Sequence, residues 1–304
     1  MANIHTPIPN LKLNDGNSIP MIGYGTGTAW YKSGDESKVD QACIDATKMS
    51  IGMGFYHQDG AEVYKTETEL GTAIKQAGVS REKLFVTTKV ISNISDIPAA
   101  LQTSLKKLQL DYVDLDKKAE HQAKWKQMEE LQSQGLAKSI GVSNYLPEHL
   151  DWILEKCTVT PAINQIEFHP YLQHVDLLKY HKEKASLLVI DMEMKLANFD
   201  QGIATQAYGP LSAVTKGAGG PADDILNKLA KKYAVNPAEI SLRWCIDQDI
   251  VPITTSSKEQ RLSDYLRAMT FKLNPAEIKQ INEAGSKKHL RGFWTHKFDE
   301  NDKR

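Results

Sequence analysis

Short runs of apolar, β-branched and aromatic residues alternate along the chain with longer stretches in which apolar residues recur at helical spacing. Such alternation is typical of parallel β-α-β units. Eight runs are predicted to be strands: Met21–Gly25, Phe55–Asp59, Leu84–Lys89, Tyr112–Leu115, Ser139–Val142, Ala162–Glu167, Ile203–Tyr208 and Ile250–Thr254. Ahead of them, Leu11–Ile19 predicts a β-hairpin that turns at Asn14-Asp15-Gly16, because Asp-Gly favours a tight turn.

Several helices are also predicted between the strands. Two segments place their apolar residues on one helical face, namely Ile97, Leu101, Leu105 and Leu108 in one and Leu146, Leu150, Ile153, Leu154 and Cys157 in the other. Asn236-Pro-Ala-Glu239 and Asn274-Pro-Ala-Glu277 each combine an N-cap residue, a first-turn proline and a glutamate, and each predicts a helix start. Eight strands with intervening helices match a (β/α)8 TIM barrel that follows an N-terminal β-hairpin.

An open, doubly wound sheet is the alternative architecture. It usually carries Gly-x-Gly-x-x-Gly after its first strand, whereas the glycines at that place are Gly23, Gly25 and Gly27, which lack the spacing. No low-complexity segment or linker interrupts the chain. We therefore predict an α/β protein with one barrel domain over residues 1–304.

Composition narrows the functional classes. The 304 residues include 37 Lys and Arg against 38 Asp and Glu, and this balance excludes a strongly basic nucleic-acid-binding protein. No apolar run approaches the ~20 residues of a transmembrane helix, and the first residues lack the features of a secretory signal. The cysteines, Cys43, Cys157 and Cys245, show no metal-ligating spacing. We expect a cytoplasmic protein with no metal, nucleic-acid or membrane partner.

Candidate chemistry lies at the predicted carboxyl ends of strands two and three, where barrels place their active sites. The second strand ends at Asp59, Tyr64 follows it, and the third strand ends at Lys89. An ammonium beside a tyrosine hydroxyl favours the phenolate, so we expect the pKa of Tyr64 below about 10 and a role as general acid. Asp59 would hold the lysine in place. The alternative is a structural Asp–Lys pair that only neutralises itself.

Further motifs follow the later strands. Ser139-Ile-Gly-Val-Ser-Asn144 ends strand five, Asn164-Gln-Ile-Glu-Phe-His-Pro170 covers strand six, Ala207-Tyr-Gly-Pro-Leu-Ser212 ends strand seven and Val251-Pro-Ile-Thr-Thr-Ser-Ser-Lys258 covers strand eight. Together with Gly16, the segment Asp59–Tyr64 and Lys89, these motifs resemble the aldo-keto reductase superfamily, in particular its fungal NADPH-dependent ketoreductase-like branch. The resemblance runs from about Leu11 to Phe298.

The resemblance implies NADPH as a cofactor that lies across the barrel mouth. Tyr208 would stack on the nicotinamide ring, and Ser143, Asn144 and Gln165 would bind its carboxamide. Further cofactor contacts would come from Gly25, Thr26, Gly209, Pro210, Leu211, Ser256, Ser257, Lys258 and Arg261. Hydroxyl groups at a helix start together with two cations suit a phosphate dianion, which favours NADPH over NADH. The alternative is that these two cations belong to a solvated helix face.

The resemblance also implies the reaction, which is reduction of an aldehyde or ketone, including an α-dicarbonyl, to an alcohol. Tyr64 would donate the proton to the substrate carbonyl, with Lys89 and Asp59 setting its pKa. Trp30 and Trp294 would line the substrate pocket, unless they are ordinary packed aromatic residues. A small carbonyl compound is the expected partner, and we expect a monomer because no coiled coil or exposed apolar stripe demands an oligomer. A barrel hydrolase that uses Asp59 and Glu167 is a weaker alternative, because nothing in the sequence supplies a metal or a nucleophile.

The chain departs from the family pattern at strand four. The family's catalytic histidine ends that strand, but Ala119 stands there in an ungapped comparison. The preceding Asp116 and Lys117 are charged, and charged side chains are costly in a barrel wall. We therefore predict that strand four is shortened to end near Leu115 and that a helix follows with Asp116 as its N-cap. The alternative function is a catalytically impaired protein that keeps the fold and binds NADPH. We expect His121 to lie on the surface rather than to substitute for the missing histidine.

A second departure is the segment 185–201, which the family pattern lacks ahead of strand seven. Leu187–Ile190 could form an extra strand or pack beneath the barrel, but it cannot replace strand seven, which carries the Tyr-Gly-Pro-Leu motif. After strand four, the active-site loop of the family pattern is longer than in this chain. This deletion together with the insertion at 185–201 resembles mis-assigned splicing. Sequencing of the transcript tests that hypothesis.

Overall fold

The three-dimensional structure is a computed structural model, and it describes residues 7–90, 94–117, 122–187, 202–295, 297–299 and 302. The strands in these residues are β1 (Asn10–Lys12), β2 (Ser18–Pro20), β3 (Gly23–Gly25), β4 (His57–Asp59), β5 (Phe85–Lys89), β6 (Val113–Lys117), β7 (Ala137–Ser143), β8 (Ile163–Glu167), β9 (Ala204–Tyr208) and β10 (Ile250–Thr254). The helices are α1 (Gln41–Gly52), α2 (Glu67–Ala77), α3 (Ile97–Leu108), α4 (Gln122–Ser133), α5 (Pro147–Leu154), α6 (Val175–Leu187), α7 (Asp223–Tyr233), α8 (Pro237–Ile246), α9 (Glu259–Leu266) and α10 (Pro275–Gly285).

Within the described residues, eight parallel strands close into a barrel in the order β10-β3-β4-β5-β6-β7-β8-β9. Closure is made by β10, which pairs with β3 on one side and with β9 on the other. All residues of β5, β8 and β10 are buried, as expected of strands covered by side chains inside and by helices outside. The predicted TIM barrel is therefore confirmed, and β10 has the bounds that the sequence predicts.

The N-terminal hairpin lies across the end of the barrel at which the strands begin. β1 pairs antiparallel with β2, and the turn between them contains Gly16 at a φ of 87°. Asn14 Nδ2 donates to the carbonyl of Pro161 at 3.0 Å, and Asn17 Nδ2 donates to the carbonyl of Lys138 at 3.1 Å. Ile19 is fully buried against the barrel. The predicted hairpin therefore exists and covers the base of the barrel.

The predicted helix signals also correspond to helices. The apolar face of α3 is buried at Ile97, Leu101, Leu105 and Leu108. At the start of α10, the side chain of Asn274 accepts from the amide of Glu277 at 3.0 Å, and the Glu277 carboxylate accepts from the amide of Asn274 at 2.9 Å. Each partner thus satisfies a backbone donor of the first turn, as in a capping box.

Strand four of the barrel, β6, does not end where the sequence predicts. It continues for two residues beyond Leu115, and its register pairs Asp116 with Thr88 and Lys117 with Lys89 on the β5 side. The same two residues pair with β7 on the other side. Pairing with both neighbours satisfies the backbone donors and acceptors whatever the side chains are. The predicted shortening, with Asp116 as a helix N-cap, is therefore wrong, and α4 begins only at Gln122.

Some predictions fall on residues that the structure does not describe. Ala119 and His121 lie outside the described residues, as do the positions from 188 to 201 of the inserted segment. The first three inserted residues belong to the last turn of α6. In the described part of the chain, every helix falls short of the length and apolar character that a membrane crossing requires.

Candidate active site

The ends of β4 and β5 bring a carboxylate, an ammonium and a phenol together. Lys89 Nζ lies 2.6 Å from Asp59 Oδ1 and donates to the carbonyl of Gly60 at 2.8 Å. The same nitrogen lies 3.4 Å from the hydroxyl of Tyr64, which ends a short 3-10 helix after β4. Asp59 and Lys89 are only 4% and 3% exposed. The three predicted catalytic side chains therefore meet at one point of the barrel mouth.

The electrostatics of this group differ from the expectation for Tyr64. Burial among the surrounding side chains raises the pKa of Tyr64 above its usual value, and the Lys89 cation only partly offsets this while Asp59 adds to it. The predicted lowering of this pKa is therefore wrong, because desolvation of a phenolate outweighs one neighbouring cation that is already paired. Burial opposes the charge on Lys89, but Asp59 and Tyr64 raise its pKa. Both groups consequently keep their protons at neutral pH.

A chain of amide side chains holds Asp59 from inside the barrel. Gln165 Nε2 donates to Asp59 Oδ2 at 2.9 Å and to Gln206 Oε1 at 2.5 Å. Gln206 Nε2 in turn lies 3.1 Å from His57 Nε2. Both hydrogens of the Gln165 amide are thus engaged, and among the described residues its side-chain oxygen accepts no hydrogen bond. That oxygen is available to a donor in the cavity.

The ends of β7 and β9 form the neighbouring wall. The hydroxyl of Tyr208 donates to Asn144 Oδ1 at 2.7 Å, and burial raises the pKa of Tyr208, which keeps this donor protonated. Asn144 has a positive φ of 60°, and its backbone amide donates to the backbone carbonyl of Gln165 at 2.9 Å. Ser143 Oγ donates to the same carbonyl at 3.0 Å. The side chains predicted to bind a carboxamide therefore lie side by side.

The segment after β3 packs tightly against Asp59. The amide of Thr26, which is fully buried, donates to the carbonyl of Asp59 at 3.0 Å. A Cβ at Gly25 would come within 2.7 Å of Ile253 Cγ2, so this glycine permits close approach. Trp30 is not among the described residues that line the cavity, because its indole N–H turns to the hydroxyl of Tyr24 at 2.9 Å. Tyr31 lines the cavity instead.

The segment after β10 carries the predicted phosphate-binding residues. Ser256 is buried, and its Oγ accepts from the amide of Lys258 at 3.0 Å directly before α9. Ser257, Lys258 and Arg261 are exposed at the beginning of that helix. The hydroxyl of Ser257 and the two cationic side chains are thus exposed at a helix N-terminus, which is an arrangement suited to a phosphate group.

A cavity of about 1260 Å³ lies at this mouth of the barrel, and the predicted residues Thr26, Ser256, Ser257 and Lys258 are not among the described residues that line it. Among the predicted residues, those that line it are Gly25, Asp59, Tyr64, Lys89, Ser143, Asn144, Gln165, Tyr208, Gly209, Pro210, Leu211, Arg261 and Trp294. Sequence reasoning missed others, chiefly Tyr31, His149, Trp152, Lys216 and Phe293. Phe293 stands beside Trp294 in the chain, and that adjacency was the signal that could have found it. His149 and Trp152 lie on α5, which the sequence predicts only as a packing helix.

The described residues contain no group of three or more His, Cys, Asp or Glu side chains placed to hold a metal ion. The carboxylates at the mouth are instead bonded within the protein: Asp59 to Lys89 and Gln165, and Glu167 to backbone amides of the C-terminal segment. This arrangement favours proton transfer from a fixed phenol over hydrolysis by a free carboxylate.

The comparisons with known proteins all lead to one family. The sequence pattern of the Aldo/keto reductase family matches residues 22–286. The NAD/NADP-dependent indole-3-acetaldehyde reductase of Schizosaccharomyces pombe is 38% identical over 291 residues, covering 92% of this chain and 97% of that protein. The NADPH-dependent alpha-keto amide reductase of Saccharomyces cerevisiae is 35% identical, with 93% of each chain covered.

A solved structure shows the same similarity in three dimensions. The aldo-keto reductase of Bombyx mori in complex with NADP is 33% identical and superimposes with a TM-score of 0.77. The similarity covers 91% of this chain and 92% of that one.

Proposed function

The chain belongs to the aldo/keto reductase family, and on that premise we propose that it reduces a small carbonyl compound to an alcohol in an NADPH-dependent reaction. One observation carries the proposal: the hydroxyl of Tyr64 lies 3.4 Å from the ammonium of Lys89, which Asp59 holds at 2.6 Å, inside a large cavity. Such a group can protonate a carbonyl oxygen.

The residues of the cavity fit a dinucleotide. About 1260 Å³ exceeds what one small ligand usually fills, so a cofactor and a substrate can be held together. The side-chain oxygen of Gln165 can accept from the nitrogen of a carboxamide. Asn144 Nδ2 can donate to the oxygen of the same carboxamide. The ring of Tyr208 supplies a flat apolar surface beside them. When bound, NADPH supplies the hydride equivalent that reduces the carbonyl carbon.

Side chains of the protein donate the proton and stabilise the phenolate that remains. Tyr64 is protonated at neutral pH because of its raised pKa, so it donates its proton to the substrate oxygen as negative charge develops there. Lys89 stabilises the phenolate that remains, through its charge and its contact with the hydroxyl. Asp59 keeps Lys89 charged, and Gln165 fixes the second oxygen of Asp59. The phenolate then regains a proton from water that enters the cavity.

The residues at the start of α9 support NADPH in preference to NADH, because they could bind its 2′-phosphate. Lys258 and Arg261 flank the exposed start of α9, and the hydroxyl of Ser257 is beside them. A phosphate dianion gains charge-assisted hydrogen bonds at such a place, whereas the free hydroxyl of NADH gains little.

Tyr64→Phe tests the proposed role directly. The variant should lose about 10²-fold or more of its carbonyl reduction, while its NADPH dissociation constant, measured by fluorescence, stays within about twofold of the parent. Tyr56→Phe, on an exposed tyrosine at the opposite end of the barrel, is the matched control. Unchanged turnover in Tyr64→Phe would remove Tyr64 as the proton donor.

The substrate is identified by a screen of NADPH consumption. The panel includes an aldehyde such as indole-3-acetaldehyde, an α-dicarbonyl such as methylglyoxal, and an α-keto amide. These three classes differ in the polarity next to the carbonyl, and an aromatic cavity wall favours the first.

The second candidate is a catalytically impaired protein that binds NADPH. The observation in its favour is Ala119, which replaces a histidine that polarises the carbonyl in the family pattern. Tight NADPH binding without NADPH consumption by any carbonyl of the panel supports this candidate. Failure to bind NADPH contradicts both.

A further inference from the structure

Glu167, the last residue of β8, holds a distant part of the chain. Its Oε1 accepts from the amide of Gly292 at 2.7 Å, and its Oε2 accepts from the amide of Phe293 at 3.2 Å. His169 Nε2 lies 3.1 Å from Oε1. Glu167 is 1% exposed and meets donors on both oxygens, so its buried carboxylate is satisfied by hydrogen bonds. Residues 291–295, which include two of these donors, are called the C-terminal loop below.

The protonation of His169 follows from its two contacts. Its Nδ1 accepts from the amide of Tyr171 at 3.3 Å, so the ring hydrogen is on Nε2 and points to Glu167. Burial lowers the pKa of His169, although the adjacent carboxylate of Glu167 acts in the opposite direction. The lowered pKa keeps the ring neutral. His169 therefore acts as a fixed donor that orients Glu167 toward the C-terminal loop.

A cation holds the same loop from the other side. Lys216, in the segment after β9, donates to the carbonyl of Gly292 and lies 3.5 Å from the ring centroid of Phe293. A Cβ on Gly292 would approach Lys216 Cδ within 3.0 Å and Glu167 Oε1 within 3.2 Å. A side chain at this position would therefore require Lys216 and Glu167 to shift by a few tenths of an ångström. Gly292 is thus held at its N–H by an anion and at its carbonyl by a cation.

The held loop forms part of the cavity. The ring of Phe293 packs edge-on against Tyr208, with centroids 5.7 Å apart, and Trp294 follows it on the cavity wall. Gly209 has a positive φ of 65°, and its missing side chain leaves the space that Phe293 Cε2 fills. The position of the loop therefore sets the distance between one wall of the cavity and the proposed nicotinamide platform.

We propose that Glu167 and Lys216 are positioning residues that hold the C-terminal loop against Tyr208 and thereby determine how tightly the carbonyl substrate is bound. Neither residue belongs to the proton-donating group. The inference rests on the proposed function for its substrate consequence, whereas the holding of the loop is a property of the protein alone.

Hydrogen exchange of the cofactor-free protein tests the holding of the loop. In Glu167→Gln, the amide nitrogen of the new side chain faces a donor, so one charge-assisted hydrogen bond is lost. We expect the amides of peptides that cover residues 290–299 to exchange about tenfold faster or more, while peptides from β5 keep the parental rate. Glu283→Gln, on an exposed residue of α10, is the isosteric control and should leave both peptides unchanged.

Steady-state kinetics test the substrate consequence. With indole-3-acetaldehyde as the probe, Glu167→Gln should raise KM about tenfold while kcat stays within about twofold, because the proton-donating group is intact. Lys216→Met removes the charge but keeps the apolar stem, and it should change KM and exchange in the same direction. If Glu167→Gln does not fold, the exchange rates and KM of Lys216→Met alone test whether the loop is held.

Parental exchange rates for residues 290–299 in both variants would overturn the proposal. Faster exchange with an unchanged KM would overturn its substrate part. If the parent protein consumes no NADPH with any carbonyl, the proposed function fails, but the exchange experiment still reports whether Glu167 holds the loop.

Discussion

Gly27 lies directly against the ring of Tyr64. A Cβ at Gly27 would come within 2.6 Å of Tyr64 Cζ and 3.0 Å of its hydroxyl oxygen. Real Cβ atoms do not approach so closely, so a larger residue at this position must displace the phenol. The loop after β3 therefore contributes to the placement of the proposed proton donor through the absence of a side chain.

Gly27→Ala should impair the reaction through geometry alone. We expect kcat/KM for carbonyl reduction to fall about 10²-fold, since a displacement of about 1 Å at a reacting group has effects of this size. NADPH affinity and the thermal midpoint should stay close to the parental values. Gly34→Ala is the control, because a Cβ at Gly34 in the same loop meets no atom within 4 Å. Equal activity of both variants would show that Tyr64 has room to move without loss.

The pH dependence of reduction should follow the raised pKa of Tyr64. In the proposed reaction the protonated phenol is the active form, so kcat/KM should stay level from neutral pH to about pH 10 and fall only above it. Lys89 lowers this pKa, so Lys89→Met should shift the alkaline limb to still higher pH while also reducing the rate. A limb well below pH 10 that Tyr64→Phe abolishes would contradict the electrostatics described above.

Lys258→Ala should discriminate between the two nicotinamide cofactors. Loss of one charged donor to a phosphate costs NADPH about tenfold in affinity, whereas NADH should change by less than about twofold. Lys279→Ala, an exposed lysine of α10, controls for the change in net charge. Titrations at low and high salt should show a smaller difference at high salt, because the site is exposed. Equal losses for both cofactors would argue against a 2′-phosphate contact.

The capping box of α10 predicts a change in stability without a change in activity. Asn274→Ala removes the side-chain acceptor for the amide of Glu277, which should lower the free energy of unfolding by about 1 kcal/mol. Asn227→Ala, at an exposed interior position of α7, lacks this role and should be neutral or slightly stabilising. Chemical denaturation of the three proteins gives the comparison, and an unchanged Asn274→Ala would show that the cap contributes nothing.

Local patterns predicted much of this fold. The apolar spacing of α3 and the Asn-Pro-Ala-Glu starts of α8 and α10 are short-range signals, and the corresponding helices begin where these signals lie. The strand predictions overlap all eight barrel strands, because short β-prone runs alternate with longer stretches of helical spacing. The end of the barrel at which the site lies was also predictable, because the site residues directly follow the carboxyl ends of the strands.

Other features depend on contacts between distant parts of the chain. Glu167 and Gly292 are 125 residues apart in sequence, and no local pattern indicates their hydrogen bond. The pKa of Tyr64 depends on how much of the ring is buried, and a sequence shows the neighbouring cation but not the desolvation. The length of strand four does not follow from its charged residues, because the backbone pairing with β5 and β7 decides where the strand ends.

The hairpin at the base of the barrel also suggests how the enzyme could be immobilised. Asn10 is exposed on β1, at the opposite end of the molecule from the cavity. Cys43 and Cys245 are buried, whereas Cys157 is half-buried and would first be replaced by serine. A cysteine introduced at position 10 would therefore offer an accessible attachment point for a thiol-reactive electrode or bead. Molecules coupled in this way would stand upright on the support, with their entrances open to the bulk solution.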